Sequence, residues 1–85
     1  MVAIELAKSG AYKEALSICE KIRSANINNA KYFNLVGIIS RRLGRLDEAV
    51  WNSKKALKID KSLVAAKMNI ANIEFQKGYF EEAIK

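Results

Sequence analysis

Apolar residues in this chain return every three or four positions and do not alternate with polar ones, which is the spacing of helical faces. Between Asn28 and Leu43, the residues Phe33, Val36, Gly37 and Leu43 fall on that step and gather on one side of a helix. The stretch after it turns Leu46, Ala49, Val50, Ala56 and Leu57 inward and Lys54, Lys55 and Lys58 outward. Asn28 or Asn29 is placed to cap the first of these helices. Gly44 sits where it ends, because glycine takes the left-handed conformation without steric cost. Asp47 and Glu48 then complement the dipole in the first turn of the next helix. Asp60-Lys61-Ser62 ends that helix and caps another running to Lys77, with Gly78 closing it in turn. The pattern predicts helices near residues 2–9, 12–25, 29–43, 46–58, 63–77 and 80–85. The absence of proline and of hairpin turn pairs agrees with an all-α domain.

A repeat underlies the pattern. Gly10, Gly44 and Gly78 are each separated by 34 residues, and Ala15, Ala49 and Ala83 keep the same phase. Each of these alanines follows a glutamate (Glu14, Glu48, Glu82) and precedes an aliphatic residue (Leu16, Val50, Ile84). Two positions after each glycine stands a large apolar residue: Tyr12, Leu46 or Phe80. Three in-phase copies of G-x-[YLF]-x-E-A-[LVI] mark a stacked array of helix pairs.

This pattern resembles the tetratricopeptide repeat, a 34-residue helix-turn-helix unit. The resemblance covers essentially the whole chain, as a partial repeat over 1–29, a full repeat over 30–63 and a partial repeat over 64–85. Phe33 stands at the family's bulky anchor and Gly37 at the small site where its two helices cross, with Gly44, Leu46, Ala49, Ala56 and Leu57 completing the signature. In the flanking copies Ala3 and Ala71 take the crossing site, facing Ala15 and Ala83. The family's frequent proline after the second helix is replaced by Ile27 and Lys61, and its usual aromatic on that helix by Cys19 and Ser53. Lys67 and Glu74 occupy positions of the third copy that are often apolar. The resemblance implies a right-handed α-solenoid of antiparallel helix pairs, about two and a half units long.

Measured against the period, the first copy starts inside its first helix and the last stops one turn into its second. Repeat arrays bury their cores between neighbours, so such ends expect either further repeats in a longer array or contact with other copies of the chain.

In the family, the first helices of successive repeats line a concave groove for a peptide or a partner helix. Carried over by position, the lining is Lys31, Asn34, Leu35, Ile38, Arg41 and Arg42 from the middle copy. The third copy adds Ala65, Met68, Asn69, Asn72, Phe75 and Gln76. Leu35, Ile38, Met68 and Phe75 would anchor apolar groups, the asparagines would pair with peptide backbone, and Arg41 and Arg42 would grip carboxylates. The implied ligand is a protein or peptide with an acidic segment. A chaperone-tail clamp is not expected, because Asn34 stands where that subgroup has a lysine and Ala65 and Asn69 where it has a basic pair. Trp51 lies beside the packed face of its helix; it either marks a convex interface or folds down over Lys55 and Leu57.

The 85 residues are 51% hydrophobic and 28% charged, which describes a single small domain. There is no histidine, and one cysteine, Cys19, so no internal disulfide forms and the commonest general base and metal ligand are missing. Cys19 is expected to be a buried, inert thiol. No carboxylate joins a base, a phosphate loop or a ligand cluster, so the expectation is a non-catalytic interaction scaffold without cofactor or metal. A self-assembling structural module that uses the open ends and the convex face is the alternative. The net charge of +6 comes from scattered lysines and arginines without a base-reading motif, which does not suit nucleic acid. The longest apolar run, Leu35-Val36-Gly37-Ile38-Ile39, is too short to span a membrane. Met1-Val2-Ala3-Ile4-Glu5 has no basic leader and an early acid, which leads to a cytoplasmic expectation.

Overall fold

The computed structural model describes the backbone of residues 2–84 and the side chains of residues 2–78. Its elements are α1 (Val2–Lys8), α2 (Tyr12–Lys21), a 3₁₀ turn (Arg23–Asn26), α3 (Ala30–Arg42), α4 (Leu46–Ile59) and α5 (Val64–Ile84). The fold is all-α, without a strand among the described residues. No helix among them is long and apolar enough to cross a membrane.

Short turns fold α2 back on α1 and α4 back on α3, the most extensive pair in the molecule. α2 also packs on α3, and α5 packs on both α3 and α4. The resulting body measures 42 × 29 × 18 Å, and its least dimension is that of two helix layers.

The two tight turns are chemically the same. Gly10 and Gly44 have φ of 89° and 78°, in the left-handed region that glycine enters freely. The amide of Ala11 donates to the Leu6 carbonyl, and that of Arg45 to the Ser40 carbonyl, each at 2.9 Å. These six-to-one bonds satisfy helix carbonyls that would otherwise have no partner, as in a Schellman motif. They recur at the 34-residue period.

The spacing predicts one helix over residues 12–25, whereas α2 stops at Lys21. Asn26 donates its side-chain amide to the Ile22 carbonyl at 2.8 Å, offering the backbone a local partner that competes with a helical one. Of the two capping candidates before α3, Asn29 acts, its side chain accepting the Tyr32 amide at 3.3 Å. At the other end, the Asp60 carboxylate accepts the Ser62 amide at 3.0 Å and hydroxyl at 2.7 Å in the turn before α5.

The expected break at Gly78 is absent, and α5 runs unbroken from Val64 to Ile84. A turn at that glycine would require the residues after it to fold back and bury an apolar face. Continuing the existing helix instead keeps its hydrogen-bond ladder. Phe80, Glu82 and Ala83, which complete the third copy of the motif, have side chains outside the described residues. Ala71, expected opposite Ala83, is exposed.

The core holds Ala3, Ala15, Cys19, Tyr32, Phe33, Ile39, Ala56, Ala66 and Ile73. The α2–α3 seam is closed by the Tyr32 hydroxyl, which donates to the Cys19 carbonyl at 2.6 Å. Burial pushes the Tyr32 and Cys19 pKa values up, so both stay protonated at neutral pH. Three helices meet at Gly37. A Cβ there would lie 2.5 Å from Ser53 Oγ on α4, 3.1 Å from Asn69 Nδ2 on α5 and 3.2 Å from the Ala49 carbonyl. Glycine is what lets α3 approach both neighbours.

Candidate binding surfaces

The residues named from sequence as one groove separate into three groups. Lys31, Leu35, Ile38 and Arg42 are spaced four, three and four apart, which sets them in one stripe along α3. Lys31 and Arg42 are exposed at its ends, and Leu35 and Ile38 are half-buried between them. Asn72 is exposed on the neighbouring α5, with Gln76 half-buried one turn on.

Asn34, Arg41 and Asn69 lie apart from this stripe, the two asparagines buried and Arg41 half-buried. Asn34 and Asn69 are 8% and 3% exposed. Arg41 Nε donates to Asn69 Oδ1 at 3.1 Å, while Asn69 Nδ2 donates to Ser53 Oγ at 2.7 Å. This relay ties α3, α5 and α4 together beside Gly37, and it occupies the amide expected to pair with a peptide. Burial, and then the charge of Arg42, lower the Arg41 pKa from its ordinary value.

Met68 and Phe75 form the third group. They stand 34 residues after Asn34 and Arg41, so they occupy the edge of α5 equivalent to the edge of α3 that abuts α5. Here that edge is open: Met68 is 61% and Phe75 78% exposed.

Trp51 is 54% exposed and sits away from the α3 stripe, on the side of the molecule formed by α2 and α4. Its ring meets the buried Phe33 edge-on, centroids 6.4 Å apart and planes at 68°. Lys55, one turn on, holds its ammonium 5.9 Å from the centre of the same Phe33 ring. Two adjoining clefts of about 320 and 510 Å³ open here and share Glu20, Arg23, Phe33 and Trp51. Leu16, Cys19, Tyr32 and Val36 floor the first, where Glu48 stands. Ile27 and Lys55 line the second.

Sequence reasoning singled out Trp51 but missed the cleft beside it and its walls Arg23, Ile27 and Lys55.

Asp47 and Lys77 join the start of α4 to α5 at 2.7 Å. The hydrogen bond from the Lys77 ammonium, and next its charge, hold the Asp47 carboxyl below the usual range. No group of three or more His, Cys, Asp or Glu able to hold a metal ion occurs among the described residues.

A scan against protein-family models finds no matching family for this chain. A search of curated proteins likewise finds no match.

Proposed function

We propose that this chain is a segment of a right-handed tetratricopeptide-like solenoid, a non-catalytic cytoplasmic scaffold that binds an acidic peptide along α3 and α5. The observation that carries the binding reading is the α3 stripe. Its half-buried centre, Leu35 and Ile38, offers apolar contact, and its exposed ends, Lys31 and Arg42, offer cations about 16 Å apart at 1.5 Å per residue. A partner with two apolar side chains between two acidic groups matches that order. Asn72 adds amide donors and an acceptor from the next helix.

The repeat reading is supported by the two identical glycine turns in phase, and by α3 packing on α4 and α5 through one glycine. Stacked arrays have this form, each first helix touching its own partner and the first helix of the next unit.

The test is capture of lysate proteins on the full chain, compared with the Lys31→Glu, Arg42→Glu double variant at matched helicity. Proteins retained by the first and lost from the second, sharing an acidic segment, support the α3 surface. Identical profiles overturn it.

A further inference from the structure

α5 is apolar on two opposite sides. Ala66 and Ile73, with the hydrogen-bonded Asn69 between them, face the body, whereas Val64, Met68, Ala71 and Phe75 run along the outer side in steps of four, three and four. Val64, Met68 and Phe75 are 62%, 61% and 78% exposed, and Ala71 is exposed as well. Such a stripe is the seam a helix uses to lie against other helices. Two exposed charges flank it on one side, Lys67 in the first half and Glu74 in the second.

The α2–α4 cleft has the complementary order. Its walls present exposed Trp51 and Ile27 over the Phe33 floor, with Glu20 and Arg23 along the α2 side, and with Glu48, 3.9 Å from Arg45, at one end of the α4 side and Lys55 at the other. Glu48 and Lys55 are seven residues apart on α4, as are Lys67 and Glu74 on α5. Each pair therefore spans about 10.5 Å. A helix laid in the cleft parallel to α4 would bring Lys67 to Glu48 and Glu74 to Lys55 together. The reverse direction would set like charges against each other.

From this match we infer that α5 of one copy docks in the α2–α4 cleft of a second copy, its Val64–Met68–Ala71–Phe75 stripe covering Trp51 and Ile27. This contact is independent of the peptide surface on α3. The net charge of +6 opposes indiscriminate association of copies, so a contact between them needs local pairing of this kind. Stripe and cleft are different patches on one chain, and the contact is heterologous. Each copy keeps one unfilled cleft and one bare stripe, so assembly extends with concentration or closes into a ring.

The experiment is sedimentation of the full chain over a range of concentrations, with Phe75→Asp to spoil the stripe and Trp51→Asp to spoil the cleft, each checked for helicity. The wild-type mass rises with concentration and each variant alone stays monomeric. An equimolar mixture of the two variants forms a pair and stops there, because it holds one intact stripe and one intact cleft. Two charge variants keep the test independent of the apolar substitutions. Lys67→Glu weakens association roughly tenfold, and adding Glu48→Lys to it restores association. A wild-type chain that is monomeric at every concentration overturns the inference. So does association lost with Phe75→Asp but kept with Trp51→Asp, which would mean that the stripe pairs with itself or with another surface. A mixture of variants that does not pair, or a double charge reversal that does not restore, overturns it as well. The Lys31→Glu, Arg42→Glu variant keeps the wild-type association, so failure of the peptide reading is seen separately.

Discussion

Arg41 on α3 donates its Nε to the side-chain oxygen of Asn69 on α5, and that same amide donates onward to Ser53 on α4. A cation, an amide and a hydroxyl thus hold three helices in one register. Asn69→Ala removes both bonds and leaves the Arg41 Nε and the buried Ser53 hydroxyl without that partner. The expected loss is about 1–3 kcal/mol of unfolding free energy, read by urea denaturation. Arg41→Ala is expected to cost less, since the Asn69–Ser53 bond survives it.

Gly37→Ala sets two effects against each other. Alanine favours a helix over glycine by about 1 kcal/mol. The added methyl would stand 2.5 Å from Ser53 Oγ and 3.2 Å from a backbone carbonyl, which cannot turn aside. Overpacking costs typically about 1–3 kcal/mol, so the variant is expected to be destabilised in denaturant melts. Ser53→Ala introduced with it removes the tightest clash and should recover part of the loss. Equal stability of the single and double variants would contradict this geometry.

Gly44 and Gly78 occupy equivalent positions of the repeat and are expected to respond oppositely to alanine. At Gly44 the positive φ makes a side chain costly, roughly 1–2 kcal/mol. At Gly78 the backbone is helical and, among the described residues, none from another element comes within 4 Å of the added Cβ, so alanine should stabilise by up to about 1 kcal/mol. Thermal melts of the two variants, with helix content by circular dichroism, decide this. Destabilisation at both positions would mean that Gly78 is also a turn.

Much of the fold was legible because its causes are local. The glycine turns, the Asn29 cap and the inward faces of α3 and α4 arise from residues within one or two helical turns of each other. The burial of Asn34 and Asn69 and the Arg41–Asn69 bond were not legible, because periodicity gives a side chain's phase on its own helix, not which other helix lies on that side. Gly78 reads as a stop for a related reason: a glycine permits a turn, and the packing of the residues beyond it decides whether one is made. The cleft beside Trp51 depends on summed side-chain volumes across α2, α3 and α4, which no spacing rule carries.

Acid is expected to weaken the attachment of α5. The Asp47 carboxyl has its pKa lowered in the folded state by the Lys77 hydrogen bond, and Asp60 by the Ser62 hydroxyl and then the Ser62 amide. A lowered folded pKa stabilises fully above the unfolded carboxylate value, and that stabilisation is lost as pH falls through the folded value. Melting temperature should be flat near neutrality and fall below about pH 4. Asp47→Asn should make that fall shallower, with Asp60 supplying part of the remainder. The change is expected to be small, because Asp47 is exposed and surface pairs contribute little.

The Tyr32 latch over Cys19 gives the molecule a built-in clock. Its one thiol lies behind the α2–α3 seam, shielded from solvent and held protonated by burial. A thiol reagent reaches the buried sulfur while the packing over it opens, so the rate of labelling counts those openings, local or global. Where reclosing outruns reaction, that rate gives the free energy of opening at Cys19. Tyr32→Phe would show how much of the interval between openings the latch sets.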